Sequence, residues 1–344
     1  MIGTTRRCFP KVRLVNNWIM KSTYQMSLGD WDAASAPEPS VTQLDPRVCA
    51  ALLDEHPDYR VLRRMEPRLI WPMPAAASTA KVVILDTETT GLDAATCDII
   101  ELAMLSVLVD RETGMPVGSV SEFDSFEEPR APISKEVTAL TGITDEMVRG
   151  KRIDNEMVAQ FLDQADLIVA HNASFDRPFV EARLPVFSHQ AWNCSLAGID
   201  WKKTEKMGAA GLEFLACFKG KFFYEAHRAL TDCHALLNVL TEPLSDGRTG
   251  LKTLMDGAKL KRYRLSAIGS PFETKDKLKA RGYRWDGEKK SWWRGLSSKE
   301  ELDIEYGWLK TEVYGTRPAR LELEEQDSTV QFSWREGVRT YPVL

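Results

Sequence analysis

Residues 81–86, KVVILD, form a β-branched apolar run set between the proline-punctuated WPMPAAASTA and a turn at Thr90-Gly91. Such a run reads as a buried strand. DIIELAMLSVLVD and SVSEFDSF read as two more strands, separated by the Thr113-Gly114 turn. Helical patterns follow at ISKEVTAL, at NEMVAQFLDQA and after Asp176, with the short apolar strand DLIVA between the last two. A long helix, ALTDCHALLNVL, closes the region. Three strands in succession, then helices mixed with further strands, predict a mixed α/β layer fold of about 160 residues.

The chain has 344 residues, a length that suggests two domains. Residues 1–40 read as a disordered leader, whose first 25 residues carry Arg6, Arg7, Lys11, Arg13 and Lys21 and no acid; a translation start at Met20 or Met26 is the alternative. Residues 41–80 read as a short helical region and linker, helical over 41–72 behind an Asp45-Pro46 cap. The α/β body is expected over 81–245, a small basic, aromatic-rich accessory domain over 246–315 and a tail over 316–344. Six cysteines without a CxxC pair exclude a disulfide framework or zinc site and point to reduced thiols in a cytoplasmic setting. No run of 18 apolar residues exists, so no membrane partner is expected.

The formal charge of −5 argues at first sight against nucleic acid, but it is unevenly spread. Between Lys259 and Arg294 twelve Lys or Arg face four acids, a local +8, so the remainder sums to −13. RYRLSAIG reads as a strand, TKDKLKAR as a helix ended by Gly282, and YRWDGEKKSWWR as a hairpin turning at Asp286-Gly287, making a small α+β unit. SSKEELDIEYGWLK follows as a helix with a Ser297…Glu300 capping box. Lys277, Lys279, Trp285, Lys290 and Trp292 are candidates for a nucleic-acid grip, in which cations meet phosphates and aromatic faces stack on bases. The competing reading makes Trp285, Trp292 and Trp293 the core of the unit and the lysines its solvated rim.

In VVILDTETTGL, Asp86 and Glu88 stand two apart, so on a strand both carboxylates face one side, about 7 Å apart, while Thr87 faces the other. Such a pair can share hard cations such as Mg²⁺ or Mn²⁺. The likeness to a calcium loop is superficial, since a strand precedes it and position twelve is Cys97. LIVAHNASFDRPFV adds Asp176 just beyond a buried strand and its turn, and HRALTDCHALL adds His227 and Asp232, five apart. On one helix these two would point about 140° apart. His227 is therefore expected just before the helix or in its first turn.

These three segments resemble the three exonuclease motifs of the DEDDh group in the DnaQ-like family, the 3′–5′ exonucleases typified by the proofreading epsilon subunit of bacterial DNA polymerase III. The motifs stand as D-x-E-x-T-G-L, H-N-x-x-F-D-x-x-F and H-x-x-x-x-D, in that order, and LTGITDEMV resembles the G-I-T-D stretch between the first two. The resemblance covers about residues 81–242. It implies a ribonuclease H-like mixed sheet flanked by helices, and two Mg²⁺ or Mn²⁺ ions as cofactors. Asp86 would bridge both ions, Glu88 and Asp232 would complete the site of the nucleophile-activating ion, and Asp176 would hold the second, partly through water. His227 would be the general base. Thr87, Thr89, Asn172 and Phe175 would hold the terminal nucleotide, while Phe179 is read as core and His171 as a candidate structural histidine.

The expected activity is release of nucleoside 5′-monophosphates from DNA 3′ ends, single-stranded or frayed, in proofreading or repair. RNA trimming is the rival within the enzyme class, and a non-catalytic nucleic-acid-binding module associated with a DNA polymerase is the rival outside it. QDSTVQF, starting at Gln326, fits a sliding-clamp peptide poorly, with threonine at the hydrophobic position, and no clamp binding is expected.

Overall fold

A computed structural model describes residues 45–74 and 78–344. The expected leader at 1–40 lies outside the described residues, as do the alternative starts at Met20 and Met26. The chain divides into two units after Tyr59. The described part of the first contains helix α1 (Pro46–Asp54), capped by the Asp45 carboxylate, which accepts from the Arg47 N–H at 2.8 Å. The helix expected to reach residue 72 stops here because Pro57 lacks an N–H and disfavours helical backbone before it.

In the second unit, Arg63–Arg64 (β1) and Ile70–Trp71 (β2) are two-residue strands where helix was expected. Then come β3 (Thr79–Thr89), β4 (Ile99–Asp110) and β5 (Pro116–Phe126) as an antiparallel meander. Helices α2 (Lys135–Thr141), α3 (Asp145–Val148) and α4 (Asn155–Leu162) lead to β6 (Leu167–Ala170), which pairs parallel to β3. After α5 (Ala173–Arg183), β7 (Trp192–Cys194) pairs parallel to β6. The six-stranded sheet runs β2-β5-β4-β3-β6-β7. The short helices α6 (Ser195–Gly198) and α7 (Leu212–Leu215) and strand β8 (Phe222–Phe223), paired with β1, precede the long α8 (Ala229–Thr241). This is the expected mixed sheet flanked by helices.

Residues 82–85 of the KVVILD run are apolar at every position because β3 is central and covered on both faces. Val82 and Ile84 pack with Ala229, Cys233, Leu236 and Leu240 of α8, while Val83 and Leu85 pack with Val158 and Leu162 of α4 and Phe179 and Val180 of α5. Strand alternation continues past the core, so Asp86 and Glu88 fall on the α8 side and Thr87 on the α5 side.

Two expected boundaries shift. Helix α9 (Gly250–Gly257) belongs to the α/β core, since Leu251, Leu254 and Met255 join the α8 cluster. Beyond it β9 (Arg262–Ala267), α10 (Lys275–Ala280), β10 (Arg284–Asp286), β11 (Ser291–Leu296) and α11 (Lys299–Trp308) follow the sequence reading closely. The helix cap lies one residue later than expected: Ser298 accepts from the Glu301 N–H, and Glu301 accepts in return from Ser297. Residues 316–344 form no simple tail, because they contribute β12 (Glu322–Gln326) and β13 (Val338–Thr340) to a five-stranded antiparallel sheet, β10-β11-β9-β12-β13. Leu321 and Leu323 are buried there with Leu265, Leu278 and Leu302.

Candidate active site

Three carboxylates meet where β3 leaves the core. Asp86 and Glu88 project from β3, Asp232 comes from the first turn of α8, and one oxygen of each lies within 4.8 Å of the other two. A register shift between Glu88 and Thr89 marks the point where the β3–β4 ladder becomes irregular. Like charges this close, in a desolvated position, favour protonation. Burial, then the neighbouring carboxylates, pushes Glu88 up to about 8. Asp86 is driven well up for the same reasons, with Asp176 its strongest charged neighbour, and burial also raises Asp232.

Asp176 stands in the first turn of α5 and is 2% exposed. It lies outside the three-carboxylate cluster, on the side of β3 to which Thr87 points, and it accepts a hydrogen bond from the Thr87 hydroxyl at 2.9 Å. Burial raises its carboxyl to about 7 against the lowering effect of that bond. The next residue, Arg177, is fully buried and donates to the carbonyls of Ser328 at 3.2 Å, Gln331 at 2.6 Å and Thr329, and to Glu181 at 2.7 Å. The C-terminal segment thus straps the helix that carries Asp176.

His227 is exposed and sits two residues before α8, as its spacing from Asp232 required. Its backbone φ is 67°, in the left-handed range that few residues other than glycine adopt but that histidine enters more readily than most. What holds that turn is Glu101, fully buried on β4 opposite Glu88. Its carboxylate accepts from the Arg228 guanidinium at 2.7 Å and from the Ala229 N–H at 2.9 Å, capping α8 from a neighbouring strand. Asp232 accepts from the Tyr224 hydroxyl at 2.8 Å and from the Arg228 N–H at 3.1 Å. Sequence reasoning missed Glu101, Tyr224 and Arg177. The only local signal for Glu101 was a lone acid inside an apolar strand, DIIELAML.

Of the expected nucleotide contacts, Thr87 and Thr89 are buried and their hydroxyls donate within the protein, to Asp176 and to the Gly91 carbonyl at 2.7 Å. Asn172 is exposed in left-handed backbone at the start of α5. Phe175 packs beside Phe179, ring centroids 5.1 Å apart, and Phe179 is core. His171 is structural: Nδ1 accepts from the buried Ser195 hydroxyl at 2.7 Å and Nε2 donates to the Ala210 carbonyl at 2.9 Å, and burial lowers it to about 4. In the C-terminal unit Trp285, Lys290 and Trp292 line one cavity, whereas Lys277 is ion-paired with Glu312 at 3.0 Å. Lys279 is exposed on α10 and does not line that cavity.

Residues 83–240 match the model of the family described as Exonuclease, a span that contains all five motif residues. The chain carries a DnaQ-like exonuclease domain. It is 31% identical over 173 residues to a DNA polymerase III PolC-type of Thermotoga petrophila, covering 46% of this chain and 12% of that protein. The PolC-type polymerase of Streptococcus suis is 40% identical over 119 residues, covering 32% and 8%. The match thus spans about a tenth of the length of these curated relatives. A solved structure of exonuclease X in complex with 5′ overhanging duplex DNA is 25% identical and covers 50% of this chain and 99% of its own, at a TM-score of 0.31. Among the described residues no helix is long and apolar enough to cross a membrane, and five cysteines are free thiols.

Proposed function

We propose that this exonuclease domain hydrolyses DNA from the 3′ end in a divalent-metal-dependent reaction, releasing nucleoside 5′-monophosphates. The observation that carries the reading is the convergence of Asp86, Glu88 and Asp232 in the exonuclease-matched span. Their donor set fits Mg²⁺ or Mn²⁺: all ligand atoms are hard carboxylate oxygens, and the raised affinity of the cluster for protons marks negative charge short of a cation. Asp86, Glu88 and Asp232 would hold one ion and Asp176, with Asp86, a second; bound there, the pair would neutralise phosphate charge and ease ionisation of water.

The remaining work falls to the chain's own groups. His227 takes the proton of the attacking water, whose oxygen joins phosphorus as the P–O3′ bond breaks; the departing 3′-oxygen keeps the electron pair and is protonated from solvent. Glu101 and Arg228 fix the left-handed turn that presents His227 and start α8 where Asp232 belongs. Thr87 holds Asp176, and Arg177 anchors its helix to the C-terminal segment. With the Thr87 and Thr89 hydroxyls engaged internally, Asn172, Phe175 and main-chain groups remain to meet the terminal nucleotide.

The polymerase names of the relatives favour DNA over RNA, and association with a DNA polymerase in a cytoplasmic replication or proofreading setting is part of the proposal. The test is digestion of 5′-labelled single-stranded, duplex and mismatched DNA beside matched RNA, with Mg²⁺, Mn²⁺ or EDTA. A ladder shortening from the 3′ end, fastest on unpaired DNA and absent in EDTA, is expected. Shortening from the 5′ end, or no metal-dependent product, overturns the reading.

A further inference from the structure

The C-terminal unit leaves three large aromatic rings around a cavity of about 370 Å³, a size suited to a small planar ligand. Two belong to the hairpin: Trp285 and Trp292 are cross-strand partners, with ring centroids 5.5 Å apart in an edge-to-face arrangement. Trp292 is anchored against the unit's core, while Trp285 remains 53% exposed. The third, Phe272, lies on the turn before α10 and is 75% exposed, with the Lys275 ammonium 4.2 Å from its ring centroid. Lys275, Lys290 at the end of the hairpin turn, and residues 269–271 also line the cavity, whose lining contains no carboxylate.

The charge pattern selects the ligand. Of the twelve cations between Lys259 and Arg294, seven are ion-paired, chiefly with Glu305, Glu312, Glu322 and Glu325 from outside that segment. The local +8 is therefore mostly compensated at home. Among the described residues Arg262, Lys275, Lys279, Arg284 and Lys290 have no carboxylate partner, and two of these five line the cavity. Aromatic faces at hand, two uncompensated ammonium groups and no acid describe a receptor for a flat ring flanked by anions.

We propose that this cavity stacks an unpaired base of single-stranded DNA between Phe272 and Trp285, with Lys275 and Lys290 meeting the adjoining phosphates. The site would hold strand outside the catalytic cluster. It rests on the reading that the substrate is DNA, and names a second place where that substrate is gripped.

The experiment uses the full chain in EDTA, where no hydrolysis is needed, with a single-stranded oligonucleotide containing 2-aminopurine, followed by anisotropy and by the 2-aminopurine emission. Phe272→Ala and Trp285→Ala are each expected to weaken binding about tenfold, the order of one base–aromatic stack, and to relieve emission quenching. Trp285→Phe should retain both. Lys275→Ala with Lys290→Ala should reduce the slope of log affinity against log salt by about 1.4. Affinity, quenching and salt slope all equal to those of the native chain would overturn the proposal, and would hand the cavity to another partner such as a peptide. Phe272 is so exposed that its alanine variant keeps the test valid if a Trp285 variant fails to fold. Variants that bind as the native chain does, while that chain still degrades DNA with Mg²⁺, defeat the cavity alone. Loss of binding in the variants together with no nucleotide release by the native chain defeats the exonuclease reading alone.

Discussion

At the end of β3 three carboxylates stand within 4.8 Å of one another, and the nearby guanidinium of Arg228 is engaged by Glu101; around β9, α11 and β12, by contrast, Arg281 and Arg294 share Glu305, and Lys261, Lys277 and Lys289 each face a glutamate. The two regions treat charge in opposite ways. In the first, like charges are concentrated and desolvated, an arrangement that a folded chain tolerates only with bound protons or a bound cation. In the second, opposite charges are matched within the fold, so that only a few lysines remain for a ligand. Net charge per segment therefore misjudges both: the acidic body is short of cations at one point, and the basic unit is far less basic than its composition.

The comparison breaks most sharply at Asp86. Asp86→Ala, or Asp232→Ala, is expected to abolish metal-dependent nucleotide release while leaving the metal-free melting temperature unchanged or higher, because like-charge repulsion is relieved. Nucleotide assays and melting curves on the same preparations check both halves. His227→Ala should slow turnover by about 10²–10⁴ with the fold intact, measured over pH 6–9. A native rate in that range would remove the histidine from the mechanism.

A buried charge that is matched should behave differently from the unmatched cluster. Arg177→Met leaves the Gln331 carbonyl without its donor and the Ser328 carbonyl with only the Trp192 N–H, and is expected to cost about 2–3 kcal/mol in denaturant unfolding. The unmatched carboxylates carry the pH dependence. Glu88 near 8 and Asp176 near 7 bind protons in the folded chain that they would have lost if unfolded, so stability is greatest below pH 4 as far as these groups decide it. It then falls as pH rises through 7 and 8, and Mg²⁺ should raise the melting temperature more at pH 8 than at pH 6. At the small end, Lys277→Ala removes one half-exposed ion pair with Glu312 and should change stability by less than about 1 kcal/mol and single-strand affinity hardly at all. A large loss of affinity there would contradict the division of cations drawn above.

Much of the site was legible because it is written locally. Asp86 and Glu88 on one strand face, Asp176 after a buried strand and His227 before a helix all follow from short-range periodicity; β3 and β4 were visible as largely apolar runs and β5 as a more polar segment set off by the Thr113-Gly114 turn. What escaped depends on residues far apart in sequence. Glu101 caps α8 from 128 residues away, Arg177 reaches the carbonyl of Gln331 across 154, and Lys277 finds Glu312 across 35. No local pattern encodes such pairings. Strand β12 was hidden by its composition, since ELEEQ reads as solvated acid, although the alternation of Leu321 and Leu323 carried the period of a strand with one face buried.

The central claim is that the β3 cluster is completed by divalent cations, and calorimetric titration of the metal-free chain with Mn²⁺ at pH 7, in buffers of different ionisation enthalpy, tests it most directly. The native chain is expected to bind Mn²⁺ with release of protons from the raised carboxyls, and Asp86→Ala to lose both the binding and the proton release. Equal binding by the two proteins, or binding with no proton released, would contradict the account.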